Sequence, residues 1–429
     1  MAAFLTPVLI AITSFALRLF DIASIKTKIF DEVYYVDGAQ DYLKYGVEVS
    51  GSSPEFIVHP PVGKWMIASG IRVFGDNPLG WRFMTALVGS LMILAVALIA
   101  HRLFYSPILT ALAAGLMAVD GLALVHSRTA LLDNFLAFFI LCATYFFISR
   151  KSWWSGLFLG LALATKWSAL YFILIFGLIA LYRAFNHHTG RDLFRPTLSR
   201  IGSFGFLPLA IYITSWWGWF ASSRGWDRDH SSNPITSLIY YHREMLNFHT
   251  GLSEKHPYQA NPWSWLIMGR PTSFFYETPT TCGAESCSQE VLALGTPFLW
   301  WTGTIAITIV IGFWIRALLN RTFDPALTII VAGITAGYLP WFFFQQRTVF
   351  NFYAIVFEPF LILALVYCAR LFLTSQRRKS DHAYRFAQGV LLAIFLAIAA
   401  NFIYFLPIYL GDVITYDAWQ ARMWFASWI

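Results

Sequence analysis

The sequence predicts an all-α polytopic membrane protein, and three observations carry that prediction. Hydrophobic residues make up 58% of the 429 residues and charged residues only 12%, about half the roughly 25% charged residues of an ordinary soluble domain. Aromatic residues reach 18%, a content that suits membrane interfaces, where a ring can keep one edge wet. Apolar stretches of spanning length also recur along the whole chain. A single soluble core is therefore excluded.

About eleven of these stretches have the roughly 20 residues that a helix needs to cross a bilayer. The first runs from Ala3 to Phe20 and lacks both a basic leading region and a small-residue cleavage site. We therefore expect it to stay in place as an anchor. The other ten are expected to begin near Leu79, Ile108, Ala130, Trp153, Ala169, Ile201, Phe298, Pro325, Phe352 and Ala387.

The distribution of Lys and Arg predicts the orientation, because cytoplasmic loops retain positive charge. With the N-terminus inside, every loop that falls inside is basic. The C-terminus then lies outside, as do two long loops, residues 21–78 and 221–297, within one transmembrane domain covering residues 1–429. The basic residues of the inner loops are Arg102, Arg150, Lys151, Arg183, Arg191, Arg195, Arg200, Arg316, Arg321, Arg377, Arg378, Lys379 and Arg385.

The formal net charge of +7 does not indicate a nucleic-acid partner. Nucleic-acid binding proteins concentrate Lys and Arg in a block or tail that neutralises phosphates, and this chain has no such block. Its basic residues sit in short loops between apolar segments. The partner that composition does imply is the lipid bilayer.

Both long outer loops have features of ordered structure. In the first, Val33, Val36, Ala39 and Leu43 share one helical face and Gly46 follows as a stop signal, so we expect an interfacial helix there. The second is rich in Pro, Trp and Ser and is expected to pack over the membrane mouth. Within it, Cys282 and Cys287 flank a polar turn and could form a disulfide in an oxidising compartment.

Asp31 and Glu32 place two adjacent carboxylates just beyond the first predicted span. A carboxylate at the boundary between water and hydrocarbon suits a general base, which typically contributes about 10²–10⁴-fold in rate. A structural alternative stays open at this point. Asp31 would then cap the following helix, and Glu32 would favour the positive end of that helix.

The segment His59–Lys64 precedes an apolar helical stretch. Lys64 would lie in the first helical turn, where the helix dipole disfavours a cation unless an anion is close. A phosphate held by His59, Lys64 and the helix N-terminus would supply that anion. Alternatively, Lys64 extends to lipid head groups and His59 caps a turn.

Arg128 and Asp133 flank the entry to another span. Because five residues separate them, they do not face each other on a straight helix, and each needs another partner. We predict that Arg128 binds a donor phosphate and that Asp133 contacts a sugar or supports such a contact. Lys166 has the same interpretation, with a lipid head-group anchor as its alternative.

Arg82, Arg270 and Arg347 complete a set of predicted outer-side cations. Fixed positive charge can stabilise a leaving phosphate in place of a divalent metal, so this chemistry requires no metal cofactor. The adjacent pair His187 and His188 lies in a predicted inner loop and has poor geometry for joint chelation, so we expect no metal site there. The predicted donor-binding residues are His59, Lys64, Arg82, Arg128, Asp133, Lys166, Arg270 and Arg347.

Several long segments resemble the protein O-mannosyltransferase family, in the order expected for it. The resemblance is carried by FDEVYYVDGAQDYL, VHPPVGKWMI, WRFMTALVGSL, SRTALLDNF, YHREMLNFHTGLSEKHPYQANPWSW and GRPTSFFY, and more weakly by YLPWFFFQQRTVFNFY.

The resemblance implies a GT-C-type membrane glycosyltransferase, and the loop charges predict that its active site lies on the extracytoplasmic face of the cell membrane. It would transfer mannose, with inversion, from a polyprenyl- or dolichyl-phosphate-mannose donor to Ser or Thr of secreted or membrane proteins, an activity that suggests coupling to protein export machinery. Asp31 and Glu32 would be the catalytic acidic pair, with Asp31 the first candidate for the base. Lys64 and Arg128 would serve the donor site.

One departure from the family concerns the second outer loop. Eukaryotic members carry a β-trefoil insert there, and the roughly seventy residues of this loop leave no room for one. Any role of that insert in acceptor selection therefore does not transfer to this chain. The compact form resembles bacterial members, whose donor would be polyprenyl-phosphate-mannose.

Two alternative functions remain open from the sequence. A lipid-linked sugar transferase acting on a glycolipid or cell-wall glycan would also pair an early acidic residue with many spans, and its acceptor would distinguish it. A transporter or flippase would instead show inverted repeats and polar residues in broken mid-membrane helices, whereas the charges here lie at predicted outer ends.

Overall fold

The computed structural model describes residues 2–187 and 189–429, so His188 lies outside the described residues. The chain is mostly helical, as the composition predicts. By length and composition, six of the described helices could cross a membrane, and one bent pair could form a seventh. Three shorter apolar helices accompany them, over Phe4–Leu19, Leu132–Ile148 and Ser152–Leu163.

The first part of the chain contains the first apolar helix and the first loop. Within the loop, two short strands form an antiparallel hairpin in which Val49 pairs with Pro54. The elements are α1 (Ala2–Leu19), α2 (Glu32–Tyr45), β1 (Val49–Ser50), β2 (Ser53–Pro54) and α3 (Val62–Phe74).

Helix α2 confirms the helix predicted in the first loop and corrects its buried face. Gly46 ends it in a left-handed conformation with a φ of 73°, which glycine adopts at little cost. Val36 and Ala39 are fully buried, but Val33 and Leu43 are 40% and 42% exposed. The helix is therefore rotated relative to the predicted face, because the polar side chain of Glu32 lies on the buried side.

The central helices follow. Helix α4 is the most buried of the candidate spans and forms the centre of the bundle. The elements are α4 (Pro78–Phe104), α5 (Pro107–Ala118), α6 (Gly121–Arg128), α7 (Leu132–Ile148), α8 (Ser152–Leu163), α9 (Ala169–His187), α10 (Phe194–Ile201), a π-helical turn (Gly202–Phe206), α11 (Leu207–Ser215) and α12 (Trp217–Ala221).

A bend of 59° separates α5 from α6. Asp120 lies at this bend, and its Oδ1 accepts hydrogen bonds from the first backbone N–H groups of α6. Its Oδ2 accepts from the backbone N–H of Thr296 and from the indole of Trp300. A buried carboxylate with this many donors fixes the direction of the bend.

The second loop and the C-terminal helices complete the fold. Strands β3 and β4 are antiparallel with an irregularity between Ser273 and Phe275, and β4 also pairs with β5. The elements are α13 (Pro234–Gly251), a 3₁₀ helix (Pro262–Ile267), β3 (Thr272–Glu277), β4 (Cys287–Ala293), α14 (Pro297–Leu319), α15 (Pro325–Gly337), 3₁₀ helices at Leu339–Phe344 and Asn351–Val356, α16 (Glu358–Arg377), α17 (Asp381–Leu410), β5 (Val413–Thr415) and α18 (Tyr416–Gln420).

The second loop is ordered and holds the disulfide that the sequence left open. Cys282 and Cys287 are bonded, with their Cα atoms 5.8 Å apart. The bond closes the turn that leads from β3 into β4.

Candidate active site

Asp31 lies in the first loop, at the residue that precedes α2. Its side chain makes no capping hydrogen bond to that helix, which argues against the structural alternative for this residue. The hydroxyl of Tyr35 instead donates to its Oδ2 over 3.3 Å. One carboxylate oxygen is therefore held in place, and Oδ1 has no hydrogen-bond donor among the described residues.

The residue before Asp31 is held in an unusual backbone conformation. Phe30 has a φ of +49°, a left-handed conformation that costs a non-glycine residue about 1–2 kcal/mol. Its ring is stacked on Phe274 at 4.5 Å and contacts Phe352 edge-on at 5.3 Å. This aromatic packing holds Phe30 and so fixes where the chain presents Asp31.

The environment of Asp31 makes its carboxyl group a weaker acid than usual. Burial raises the pKa of Asp31 to about 6, the positive charge of Lys166 opposes that rise, and the negative charge of Asp133 adds to it. A carboxylate with a pKa near 6 accepts a proton more readily than one with a pKa near 4 and is still ionised at neutral pH. These properties match those of a general base.

Glu32 is fully buried and has no acceptor capacity left for a substrate. Its Oε1 accepts from Arg82 Nε and from the backbone N–H of Ala130, both at 2.8 Å. Its Oε2 accepts from Arg82 Nη2 at 2.7 Å and from the backbone N–H of Ile29 at 3.0 Å. Arg82 in turn donates to the carbonyls of Ile22, Ile25 and Thr27. The pair fastens the loop that carries Asp31 to α4.

Lys166 and Asp133 form a second buried ion pair, close to Asp31. The ammonium group of Lys166 lies 2.9 Å from each carboxylate oxygen of Asp133 and 4.5 Å from the centre of the Tyr353 ring. The pair joins α7 to the turn between α8 and α9. Because Arg128 and Asp133 do not face each other, the sequence predicts that Asp133 needs another partner, and that partner is Lys166.

A cleft of about 220 Å³ opens beside this ion pair. It lies between the start of α9, the end of α13 and the 3₁₀ helix Leu339–Phe344. Three of the predicted donor-binding residues line it, namely His59, Lys166 and Arg347. Its other polar and aromatic residues include Trp167, His249, Trp341 and Tyr353.

Arg347 is the cation in this cleft with spare hydrogen-bonding capacity. Its Nη2 lies 3.5 Å from Nδ1 of His249, and its buried Nε has no hydrogen-bond partner among the described residues. Lys166, by contrast, is already neutralised by Asp133. An anionic ligand in the cleft would therefore find its strongest free donor at Arg347.

Both histidines of the cleft are neutral at physiological pH. Burial and the nearby charge of Lys166 hold the pKa of His59 well below its usual value. Burial likewise lowers the pKa of His249 to about 4. The Nε2–H of His249 donates to the carbonyl of Val58 over 2.7 Å, so its Nδ1 is an acceptor that faces Arg347. The two rings shape the cleft without adding charge.

An apolar surface continues from the rim of the cleft along α9. Leu170 lines the cleft, and Leu170, Leu174 and Leu178 are 55%, 58% and 57% exposed. Residues four apart lie on one face of a helix, so the three side chains form a stripe. An exposed apolar stripe on a candidate membrane span is suited to contact with lipid hydrocarbon.

The remaining predicted cations lie away from the cleft. Lys64 is paired with the buried carboxylate of Glu48, which supplies the anion that its position at the start of α3 calls for. Arg128 donates to backbone carbonyls of residues 17, 18, 20, 21 and 410. Arg270 donates to the carbonyls of Pro257 and Ser427. All three hold segments of the chain together.

Sequence reasoning misses His249, Tyr353 and Tyr35. A signal for His249 does exist, because His242 and His249 lie two helical turns apart in YHREMLNFH and so share a face. Tyr353 follows a cation-containing stretch but has no distinguishing spacing. Among residues 2–187 and 189–429, no three His, Cys, Asp or Glu side chains lie close enough to hold a metal ion.

Two family models match most of the chain. Residues 76–222 match a model described as dolichyl-phosphate-mannose-protein mannosyltransferase. Residues 234–428 match a model described as the C-terminal four-transmembrane region of protein-O-mannosyltransferase. The first model ends near the end of α12 and the second begins at α13, so both halves of the bundle are covered.

Similar proteins and structures agree with these matches. A polyprenol-phosphate-mannose--protein mannosyltransferase of Mycobacterium tuberculosis is 31% identical, with 99% of this chain and 91% of the relative covered. The protein of the same name from Corynebacterium glutamicum is 32% identical, with 94% and 88% covered.

The fold resembles that of GT-C glycosyltransferases. In the Saccharomyces cerevisiae Pmt1-Pmt2 complex bound to the sugar donor, one chain matches with a TM-score of 0.84 at 15% identity, covering 100% of this chain and 93% of that one. ArnT from Cupriavidus metallidurans bound to undecaprenyl phosphate matches with a TM-score of 0.54 at 15% identity, covering 94% and 75%. The chain belongs to the protein O-mannosyltransferase family.

Proposed function

We propose that this chain transfers mannose from polyprenyl-phosphate-mannose to Ser or Thr hydroxyls of secreted and membrane proteins. Relatives that align over nearly the whole chain are named for this donor and for protein acceptors. The observation that carries the proposal is the position of Asp31. Its carboxyl group has a pKa raised to about 6 and lies close enough to Lys166 to sense the charge of that residue. Lys166 lines the cleft in which Arg347 has an unpartnered Nε.

The proposed reaction uses these residues in turn. Asp31 accepts the proton of the acceptor hydroxyl as the hydroxyl oxygen attacks C1 of the mannose. The bond from C1 to the phosphate oxygen breaks on the opposite face of the sugar, so the configuration at C1 inverts. Polyprenyl phosphate leaves as an anion, which Arg347 stabilises by charge-assisted hydrogen bonds and Lys166 by its nearby charge. Asp31 then returns its proton to water.

Within this proposal, Asp31 and Glu32 have different tasks. Asp31 is the catalytic residue. Glu32 is a positioning residue, because its buried pairing with Arg82 fixes the loop on which Asp31 stands. Lys166 and Asp133 form an ion pair that combines both tasks. Lys166 lines the cleft, and Asp133 orients the ammonium group of Lys166.

We further propose that residues 1–429 form one catalytic domain of eleven spans, with the N-terminus inside and the C-terminus outside. Four groups of helices support this count. They are the six long helices, the bent α5–α6 pair and the three shorter apolar helices, and the interrupted run α10–α12 counted as one span. The active site and the loops 21–78 and 221–297 would then lie on the extracytoplasmic face. Acceptors would be met during or after export, which favours coupling to the export machinery.

A reconstituted reaction tests the proposed function. Purified protein is incubated with labelled polyprenyl-phosphate-mannose and a Ser/Thr-rich peptide, and we expect labelled mannose on the peptide. The matched control is the same peptide with every Ser and Thr replaced by Ala, which should stay unlabelled. Transfer to a glycolipid acceptor but not to the peptide would contradict the proposal and would support the other class of lipid-linked sugar transferase.

Arg347→Gln is expected to weaken donor binding. The substitution removes a charge-assisted hydrogen bond to the donor phosphate, which contributes about 1.5–3 kcal/mol, so the dissociation constant should rise by about ten- to a hundredfold. Titration of the donor into the purified protein measures this change. Arg243→Gln removes an exposed arginine of α13 outside the cleft and should leave the affinity unchanged. Equal affinities in wild type and Arg347→Gln would place the phosphate elsewhere.

A further inference from the structure

A second and larger groove lies apart from the catalytic cleft. It has a volume of about 940 Å³ and is formed by the last turn of α2, by one side of α3 and by α12 with the residues that follow it. None of the residues that line it also lines the cleft beside Lys166. Nothing in the proposed reaction uses this groove.

The charges in this groove have one sign. Arg72 enters it from α3 and Arg224 from the segment after α12, and no Asp or Glu is among the described residues that line it. Both arginines are exposed, and neither guanidinium group donates a hydrogen bond to another described residue. Two cations that share a groove repel each other unless an anion lies between them. An anionic ligand would remove this repulsion.

A third cation strengthens the positive field. The guanidinium group of Arg224 lies 4.9 Å from the centre of the Tyr45 ring, and the ammonium group of Lys44 lies 4.8 Å from the same ring. The first of these cation–π contacts holds Arg224 against the end of α2. The groove is therefore preorganised for an anion, with Arg224 and Arg72 on different walls.

The rest of the surface around the groove is suited to hydrocarbon. Trp217 is 70% exposed, Val73 is 71% exposed and Leu43 is 42% exposed. Trp65 and Tyr42 also line the groove and contact each other edge-on. Aromatic residues and arginines mixed with exposed aliphatic side chains are typical of the level where lipid head groups meet acyl chains.

We propose that this groove binds one anionic phospholipid, with its phosphate between Arg72 and Arg224 and its acyl chains against Trp217 and Val73. The site goes beyond the proposed mannosyl transfer and does not depend on it. The lipid would brace the C-terminal end of α2, the helix whose first turn directly follows Asp31. Anionic lipid would thus stabilise the loop that carries the catalytic carboxylate.

Native mass spectrometry of the delipidated full-length protein tests the proposal. During titration with phosphatidylglycerol, we expect one molecule to bind the wild type at least about tenfold more tightly than phosphatidylcholine. The variant Arg72→Gln/Arg224→Gln should lose this preference, and Arg72→Lys/Arg224→Lys should keep part of it. The control Arg243→Gln/Lys255→Gln removes the same charge from exposed positions outside the groove and should bind like the wild type.

Three results would overturn the proposal. The first is equal binding of phosphatidylglycerol and phosphatidylcholine by the wild type. The second is an equal loss in the groove variant and in the control, since it would show that only net charge matters. The third is displacement of phosphatidylglycerol by an equimolar amount of polyprenyl phosphate, since it would assign the groove to the substrate lipid. Thermal unfolding of each variant verifies that it is folded.

Discussion

Asp31→Asn is expected to lower the rate of mannosyl transfer by about 10²–10⁴-fold, the range that a positioned general base contributes. The amide is nearly isosteric and can still accept the hydrogen bond from Tyr35, so the fold and donor affinity should be retained. Initial rates at saturating donor and acceptor, with donor titration of the same sample, measure both quantities.

A neighbouring carboxylate provides the control for this prediction. Asp37 lies on α2, its side chain is 56% exposed and it pairs with Lys28 at the surface. Asp37→Asn removes the same charge and should keep the wild-type rate, because exposed ion pairs contribute little to stability. A rate in Asp31→Asn above about a tenth of the wild-type rate would be incompatible with general-base catalysis by Asp31.

The pH profile gives a second readout of the same residue. The base acts in its ionised form, and burial raises the pKa of Asp31 to about 6. The wild-type kcat/KM should therefore fall as the pH is lowered through about 6, since protonation removes the base. The residual activity of Asp31→Asn should lack this dependence.

Glu32→Gln is expected to act on stability as well as on rate. It leaves the charge of Arg82, which is 2% exposed, buried without its partner. Breaking a buried ion pair in this way typically costs about 3–5 kcal/mol, and the loop that presents Asp31 loses its attachment to α4. We expect a lower melting temperature, a smaller folded yield in detergent and a reduced rate.

The double variant Glu32→Gln/Arg82→Gln separates stability from chemistry. Removing both charges removes the unpaired charge, so the double variant should be more stable than Glu32→Gln alone, although the carbonyls of Ile22 and Ile25 lose a charged donor. The coupling energy follows from the four melting curves of the double-mutant cycle. If Glu32→Gln instead kept full stability and lost activity as completely as Asp31→Asn, Glu32 would belong to the chemistry and not to the support of the loop.

The helical architecture could be predicted well because hydropathy is a local property. Ala169 and Pro325 are the predicted starts of two spans and are also the first residues of α9 and α15. Gly46 ends α2 as its backbone freedom predicts. The rotation of α2 could not be predicted, because periodicity places Val33 and Leu43 on an apolar face without indicating that Glu32 is buried with Val36.

The candidate site was harder to predict because it depends on which charges pair. The sequence locates the ionisable residues near the outer ends of spans, but the partners Lys64 and Glu48, Asp133 and Lys166, and Glu32 and Arg82 are separated by 16, 33 and 50 residues. Only the tertiary fold brings them together. Lys64 and Arg82 therefore resemble ligand-binding cations in the sequence and are internal contacts in the structure, whereas the Nε of Arg347 has no hydrogen-bond partner among the described residues.

The exposed leucine stripe of α9 has a consequence for how the enzyme meets its two substrates. If the donor phosphate binds at Arg347 as proposed, this stripe would let the polyprenyl chain stay in the bilayer. The donor then arrives by lateral diffusion in two dimensions, and its effective concentration is its mole fraction among the lipids. A soluble peptide acceptor would arrive from the aqueous phase in three dimensions. Diluting the membrane with inert lipid would slow the encounter with the donor and leave the encounter with such a peptide unaffected.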